Sequence, residues 1–163
     1  MFKLNLKKVL LNFIIVSIIF LTDRISKIYI LKIAQVEGAV DIYLTTYLNF
    51  YLIWNKGVAF GLLSFEKNYV YNTISLIIVL ISTLILVMIT KSVGFKKYAL
   101  IFILGGSLGN LFDRMYYSAV PDFIDFHINS FHWFIFNIAD IFITIGVICL
   151  IFDEIFSNKK VIK

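Results

Sequence analysis

Charge, proline and cysteine are all scarce in this chain. Charged residues make up 15% of its 163 residues and proline occurs once, whereas a soluble domain carries about a quarter charged residues. That shortage excludes a water-solvated globule and leaves no material for a proline-rich linker. With eight glycines and no repeat or low-complexity tract, a single domain over 1–163 is expected, within the length prior of about 100 to 200 residues. The lone cysteine, Cys149, lies in the last apolar stretch. It excludes an intrachain disulfide and a cysteine metal site.

What the chain has instead is apolar surface, 61% hydrophobic and 17% aromatic. Four stretches, about 9–31, 69–89, 98–113 and 134–152, approach the ~20 residues that cross a hydrocarbon core as a helix. The third is short and needs neighbours to shield the polar residues at its far end. The first follows Lys3, Lys7 and Lys8, as a secretory signal would, but exceeds the apolar region of a signal peptide, about 7 to 15 residues. It also runs into Thr22, Asp23 and Arg24 rather than a small-residue cleavage site, so it is read as a permanent helix. The expected fold is a mainly α membrane protein with four transmembrane helices.

The net charge of +5 does not point to nucleic acid, because the lysines sit at helix ends. Lys3, Lys7 and Lys8, then Lys91, Lys96 and Lys97, then Lys159, Lys160 and Lys163 fall on one side of a four-span arrangement, which the positive-inside rule makes cytoplasmic. Both termini are then cytoplasmic, and segments 32–68 and 115–133 lie outside. In the first of these, Tyr47 to Trp54 is rich in aromatic and β-branched residues, Asn55-Lys56-Gly57 follows, and Val58 to Leu63 is apolar again. That pattern reads as a β-hairpin closed by a glycine-containing loop.

Ionisable and amide side chains inside a span are costly and mark function, so their depth matters. At ~1.5 Å per residue, Asp23 lies about 22 Å from Lys8, Asn110 about 20 Å from Lys97, and Asp140 about 20 Å from Asp153. Three helices thus place their costliest residues at one level, towards the outer face. On each helix the polar residues also share a side: Asp23 and Lys27 are i,i+4, Asn110 and Arg114 are i,i+4, and Asn137 and Asp140 are i,i+3. Interhelical clasps that do no chemistry would explain any one pair. A shared polar pocket explains all of them at once. Gly105-x-x-x-Gly109 allows close helix approach, here against another helix of the same chain.

Asp140 and Asp122, the latter in Val120-Pro121-Asp122-Phe123, are the candidate catalytic pair. Two carboxyls forced together in a poorly solvated pocket do not both ionise readily, so one stays protonated while the other is anionic. The anion takes a proton from an attacking water while its partner protonates a peptide carbonyl, without a metal. Ser107, Ser118 and Ser130 lack a histidine at a motif spacing, Cys149 is remote in depth, and His127 and His132 do not form an HExxH-like helix pair. No metal and no cofactor are therefore assigned.

These residues resemble the lipoprotein signal peptidases, the signal peptidase II family of aspartyl proteases. Thr22-Asp23-Arg24-Ile25-Ser26-Lys27 is similar to the family's first-helix motif, Asn55-Lys56-Gly57-Val58-Ala59-Phe60-Gly61 to its periplasmic motif, and Gly105 to Arg114 to its third-helix motif. Val120-Pro121-Asp122-Phe123 and Phe136-Asn137-Ile138-Ala139-Asp140 are similar to its two aspartate blocks. Pro121 departs from the β-branched residue often found there. The resemblance implies an intramembrane aspartic endopeptidase of the bacterial inner membrane with Asp122 and Asp140 as its dyad. Asn55, Asn110, Arg114 and Asn137 would line the site, supported by Asp23 and Lys27, with Asp113 structural. The implied partners are membrane lipid and diacylglyceryl-modified prolipoproteins, cut just before the lipidated cysteine and held under a small periplasmic β cradle. A monomer is expected. The alternatives are a small transporter or proton relay, against which the apolar inner two-thirds of the later helices argue, and a lipoprotein-binding subunit without activity.

Overall fold

The computed structural model describes residues 6–57, 68–129 and 131–158. Helix α1 (Leu6–Glu37) leads into strands β1 (Asp41–Thr45) and β2 (Leu48–Asn55). Helices α2 (Asn68–Lys91) and α3 (Gly94–Tyr117) follow, then strands β3 (Val120–Ile128) and β4 (Phe131–Phe136) and helix α4 (Ile138–Asn158).

Each break has a local cause. α1 ends where Gly38 turns to φ 79° while its N–H still reaches Ala34 O at 2.9 Å, the left-handed stop that glycine adopts without a Cβ clash. α2 and α3 are joined through Ser92 and Val93 only, with Gly94 at φ 62°, so the two helices fold back on each other. α4 starts at Asn137, whose side-chain Oδ1 accepts from the Asp140 N–H at 3.1 Å while Asp140 Oδ2 accepts from the Asn137 N–H at 3.2 Å. This reciprocal arrangement satisfies two N–H groups that a helix start leaves without partners.

α3 is the central helix and packs against α1, α2 and α4. Its glycines set how close the others come. A Cβ on Gly105 would lie 2.8 Å from Ile19 of α1, one on Gly109 would lie 2.6 Å from Asp23 Oδ2, and one on Gly106 would lie 2.4 Å from Ala139 O of α4. The Gly105-x-x-x-Gly109 motif thus serves packing within one chain. Ile85 and Ile89 of α2 bury with Leu100, Ile101, Ile103 and Leu104 of α3.

The outward faces are apolar as well. Phe13, Ile18 and Leu21 of α1 and Leu80, Ile81 and Leu84 of α2 are exposed, a continuous surface that water does not tolerate and lipid does. α1 and α2 are long and apolar enough to cross a membrane. α3 and α4 do not meet the same criterion. α3 carries Lys96, Lys97, Asp113 and Arg114, and α4 carries Asp140, Asp153 and Glu154.

The sheet is antiparallel in the order β1-β2-β3-β4, and one sequence expectation is corrected at its edge. β2 has β1 and β3 as its neighbours, and residues 58–63, expected as the second arm of a hairpin, lie outside the described residues. The fourth apolar stretch does not begin as a helix at Phe134. Phe131–Phe136 is a strand and the helix starts at Ile138. A second core, with Ile30, Val40, Phe123 and Ile124, joins the sheet to the C-terminal end of α1.

One irregularity of the sheet positions the site. Phe50 pairs with Ile124, yet Ile53 pairs with Asp122, so β2 carries one extra residue between these points. Without this bulge Asp122 would oppose Leu52, and Asn55 would point to the opposite face. With it, Asn55 and Asp122 share a face, because side chains alternate along a strand and a one-residue shift reverses them.

Candidate active site

Three helices and one strand pair bring the polar residues together. Lys27 of α1 is fully buried and donates to Asp23 Oδ2 at 3.0 Å, Asn110 Oδ1 at 3.0 Å and Asp113 Oδ2 at 2.7 Å. Its three N–H donors are thereby used, which a buried ammonium requires. Arg24 adds a second cation, 2.9 Å from Asp23 Oδ2 and 2.5 Å from Asp113 Oδ1, with its guanidinium over the Phe112 ring at 4.9 Å. Two acids and two bases thus form a neutral knot. Removing one partner from such a buried pair costs about 3 to 5 kcal/mol, because the remaining charge is left uncompensated.

The knot holds the helix that carries Asp140. Asp23 Oδ1 accepts from the Ala139 N–H at 3.1 Å, a carboxylate against the positive end of α4. Asn110 is fixed by Lys27 through its Oδ1, which leaves its Nδ2 to donate to Asp140 Oδ1 at 2.8 Å. Asn137 ties the two aspartates together: its Nδ2 donates to Asp122 Oδ1 at 2.5 Å, and its backbone N–H donates to Asp140 Oδ2 at 3.2 Å. Asn55 donates from the sheet side to Asp122 Oδ2 at 2.9 Å. Its own Oδ1 accepts from the Gly57 N–H at 2.8 Å.

Asp122 is almost completely buried, and that burial, with the negative charge of Asp140 second, pushes its carboxyl up to about 7. The hydrogen bonds from Asn55 and Asn137 and the positive charge of Lys27 act in the other direction. A carboxyl that keeps its proton near neutrality beside a second carboxyl is the setting in which a pair of acids divides into donor and acceptor.

The match to known proteins accords with this geometry. Residues 15–156 fit the family model described as signal peptidase II. The chain belongs to the signal peptidase II family. That family consists of aspartic endopeptidases of the bacterial inner membrane. The chain is 53% identical to the lipoprotein signal peptidase of Pelagibacter ubique (strain HTCC1062), over 97% of this chain and 95% of that one. It is 39% identical to the lipoprotein signal peptidase of Anaplasma phagocytophilum (strain HZ), over 95% and 98% of the two chains. A solved bacterial membrane enzyme superposes with a TM-score of 0.71 at 26% identity, covering 91% of this chain and 90% of that one.

In this signal peptidase II fold, seven of the eight residues singled out from sequence, Asp23, Lys27, Asn55, Asn110, Asp122, Asn137 and Asp140, form one continuous hydrogen-bonded group. Arg114 stands beside it. Its Nη2 donates to Gly57 O and its guanidinium lies 5.4 Å from the Tyr71 ring centroid. Its Nε and Nη1 are buried with no hydrogen-bond partner among the described residues. Arg24 and Tyr71 lie outside the residues that the sequence singles out, and Asp113, expected to be structural, pairs with Lys27 and Arg24. Arg24 is i,i+3 from Lys27 and Asp113 is i,i+3 from Asn110, so the shared-face argument extends to both. Tyr71, whose hydroxyl donates to Arg114 O at 2.9 Å, carries no sequence signal.

Proposed function

We propose that this chain removes the signal peptide from diacylglyceryl-modified prolipoproteins, cutting just before the lipidated cysteine, with Asp122 and Asp140 as the catalytic dyad. The observation that carries this reading is Asn137, which bonds both carboxyls. The names of the relatives supply the substrate class.

Around neutral pH the pair shares one proton, which the burial of Asp122 and the charge of Asp140 favour on Asp122. The anionic carboxylate removes a proton from a water molecule as that water attacks the scissile carbonyl carbon. The protonated carboxyl donates to the carbonyl oxygen, and the resulting tetrahedral species collapses as a proton is returned to the leaving nitrogen. Such a pair titrates as a unit. The Nε and Nη1 donors of Arg114, without a partner among the described residues, suit a substrate carbonyl, and Asn55 and Asn110 hold the two acids in register.

In the same reading all four helices span the bilayer as one domain over 1–163, both termini are cytoplasmic, and the sheet lies over the outer end as a cradle. Lys97 supports this orientation. With its amide oriented to suit its surroundings, Asn12 near the start of α1 accepts from Lys97 near the start of α3 at 2.9 Å, so these lysine-bearing ends are neighbours. A substrate with acyl chains would approach sideways through the outer leaflet.

Purified protein in detergent, given a diacylglyceryl-modified prolipoprotein and its unlipidated form, tests the proposal. Cleavage of the lipidated form alone, with the new terminus at the modified cysteine by mass spectrometry, is expected. No cleavage of either form by a folded sample would refute it.

A further inference from the structure

We propose a divalent metal site of the zinc class on the β3–β4 hairpin, formed by Asp125, His127 and His132 and separate from the aspartate pair. Alternation along β3 puts Asp125 and His127 on one side of the strand, and the antiparallel register sets His132 directly opposite His127. One potential ligand atom from each residue lies within 4.8 Å of the others.

The polar accounting of the cluster is incomplete without a cation. Asp125 is buried and its carboxylate meets His132 Nδ1 at 2.9 and 3.1 Å. His127, nine-tenths buried, directs its Nδ1 towards the same carboxylate at 3.6 Å, and that atom has no hydrogen-bond partner among the described residues. A buried polar nitrogen left in that condition is destabilising. The two rings stack with centroids 5.0 Å apart and planes 24° from parallel, so both Nδ1 atoms face the one Asp125 carboxylate. A divalent ion accepts both neutral imidazoles and the carboxylate together.

The donor set also selects the ion. Imidazole with carboxylate suits zinc and its neighbours rather than calcium or magnesium. A tetrahedral site with bonds of about 2.0 to 2.2 Å requires these atoms to rearrange, the separations of up to 4.8 Å closing while the Asp125–His132 contact at 2.9 Å opens. His132 is half-exposed, at 56% of its side-chain surface, and is free to make that adjustment. Three protein ligands leave the fourth position for water. The ion would clasp the two strands, one carrying Asp122 and the other running into Asn137.

The test uses full-length protein with a tag free of histidine, stripped with a chelator in detergent and titrated with Zn²⁺ by calorimetry, with Co²⁺ as a spectroscopic probe. One equivalent of zinc per chain and a tetrahedral Co²⁺ spectrum are expected. His132→Ala, at an exposed position that spares the fold, should weaken zinc binding by at least about tenfold. The Asp122→Asn/Asp140→Asn double variant should bind zinc as the wild type does, which separates this site from the dyad. Absence of zinc binding by folded wild-type protein, unchanged affinity in His132→Ala, or loss of binding in the double aspartate variant would each overturn the proposal.

Discussion

The side-chain amide of Asn137 lies 2.5 Å from Asp122 Oδ1, which links the sheet to the first turn of α4. The same residue caps that helix, so a single asparagine fixes where α4 begins and how its Asp140 faces Asp122.

Asp122→Asn and Asp140→Asn should each reduce cleavage by about 10²- to 10⁴-fold, the range for loss of a general acid or base, with insertion and purification unchanged. Initial rates on a lipidated substrate, compared at equal amounts of folded protein, give the answer. Substantial activity in either variant would dismiss the dyad.

Asn137→Ala removes the cap and the bridge at once. The cap alone is worth about 1 kcal/mol, so a modest fall in melting temperature should accompany a large fall in kcat. Asn137→Asp keeps a capping oxygen but puts a third acid beside the pair. It should restore neither activity nor full stability, because the buried donor to Asp122 is replaced by an acceptor.

The proton on Asp122 predicts the pH behaviour. With its carboxyl raised from 3.8 to about 7, kcat/KM should fall on an alkaline limb with an apparent value near 7, read from a pH–rate profile. The effect on stability has the same sign. Between the ordinary carboxylate range and about 7 the folded state holds a proton that the unfolded state releases, so this residue's contribution falls as pH rises through that window. A profile that is flat from 6 to 9, values chosen at about one unit below and two above the shifted carboxyl, would contradict the assignment.

Gly109→Ala should be disproportionately harmful. Its Cβ would lie 2.6 Å from Asp23 Oδ2, displacing the carboxylate that binds Lys27 and the Ala139 N–H. Overpacking of this kind costs about 1 to 3 kcal/mol. Thermal melts should show that loss, and activity should fall with it because Asn110 and Asp140 move together.

Cysteines placed at Lys91, Lys96 or Lys97 in a Cys149→Ala background should react only with reagent delivered from the cytoplasmic side. Labelling from the periplasmic side alone would reverse the orientation.

Counting residues along three apolar runs was enough to put Asp23, Asn110 and Asp140 at one depth, because the helical rise is fixed by the backbone. The Asn137-x-x-Asp140 spacing likewise contains the start of α4. The apolar residues before it extend the span in sequence, whereas Phe131–Phe136 is a strand and the cap at Asn137 sets the helix start. Periodicity does not state which distant strand lies beside which. The pairing of β2 with β3, the bulge that turns Asn55 towards Asp122, and the meeting of His127 with His132 across a hairpin depend on register between segments that sequence distance does not link. Sequence alone determined the apolar solvent, the common level of Asp23, Asn110 and Asp140 along their helices, and the two acids that Asn137 joins. Tertiary structure decided their company, because a hydrogen bond needs a direction and a partner as well as a depth.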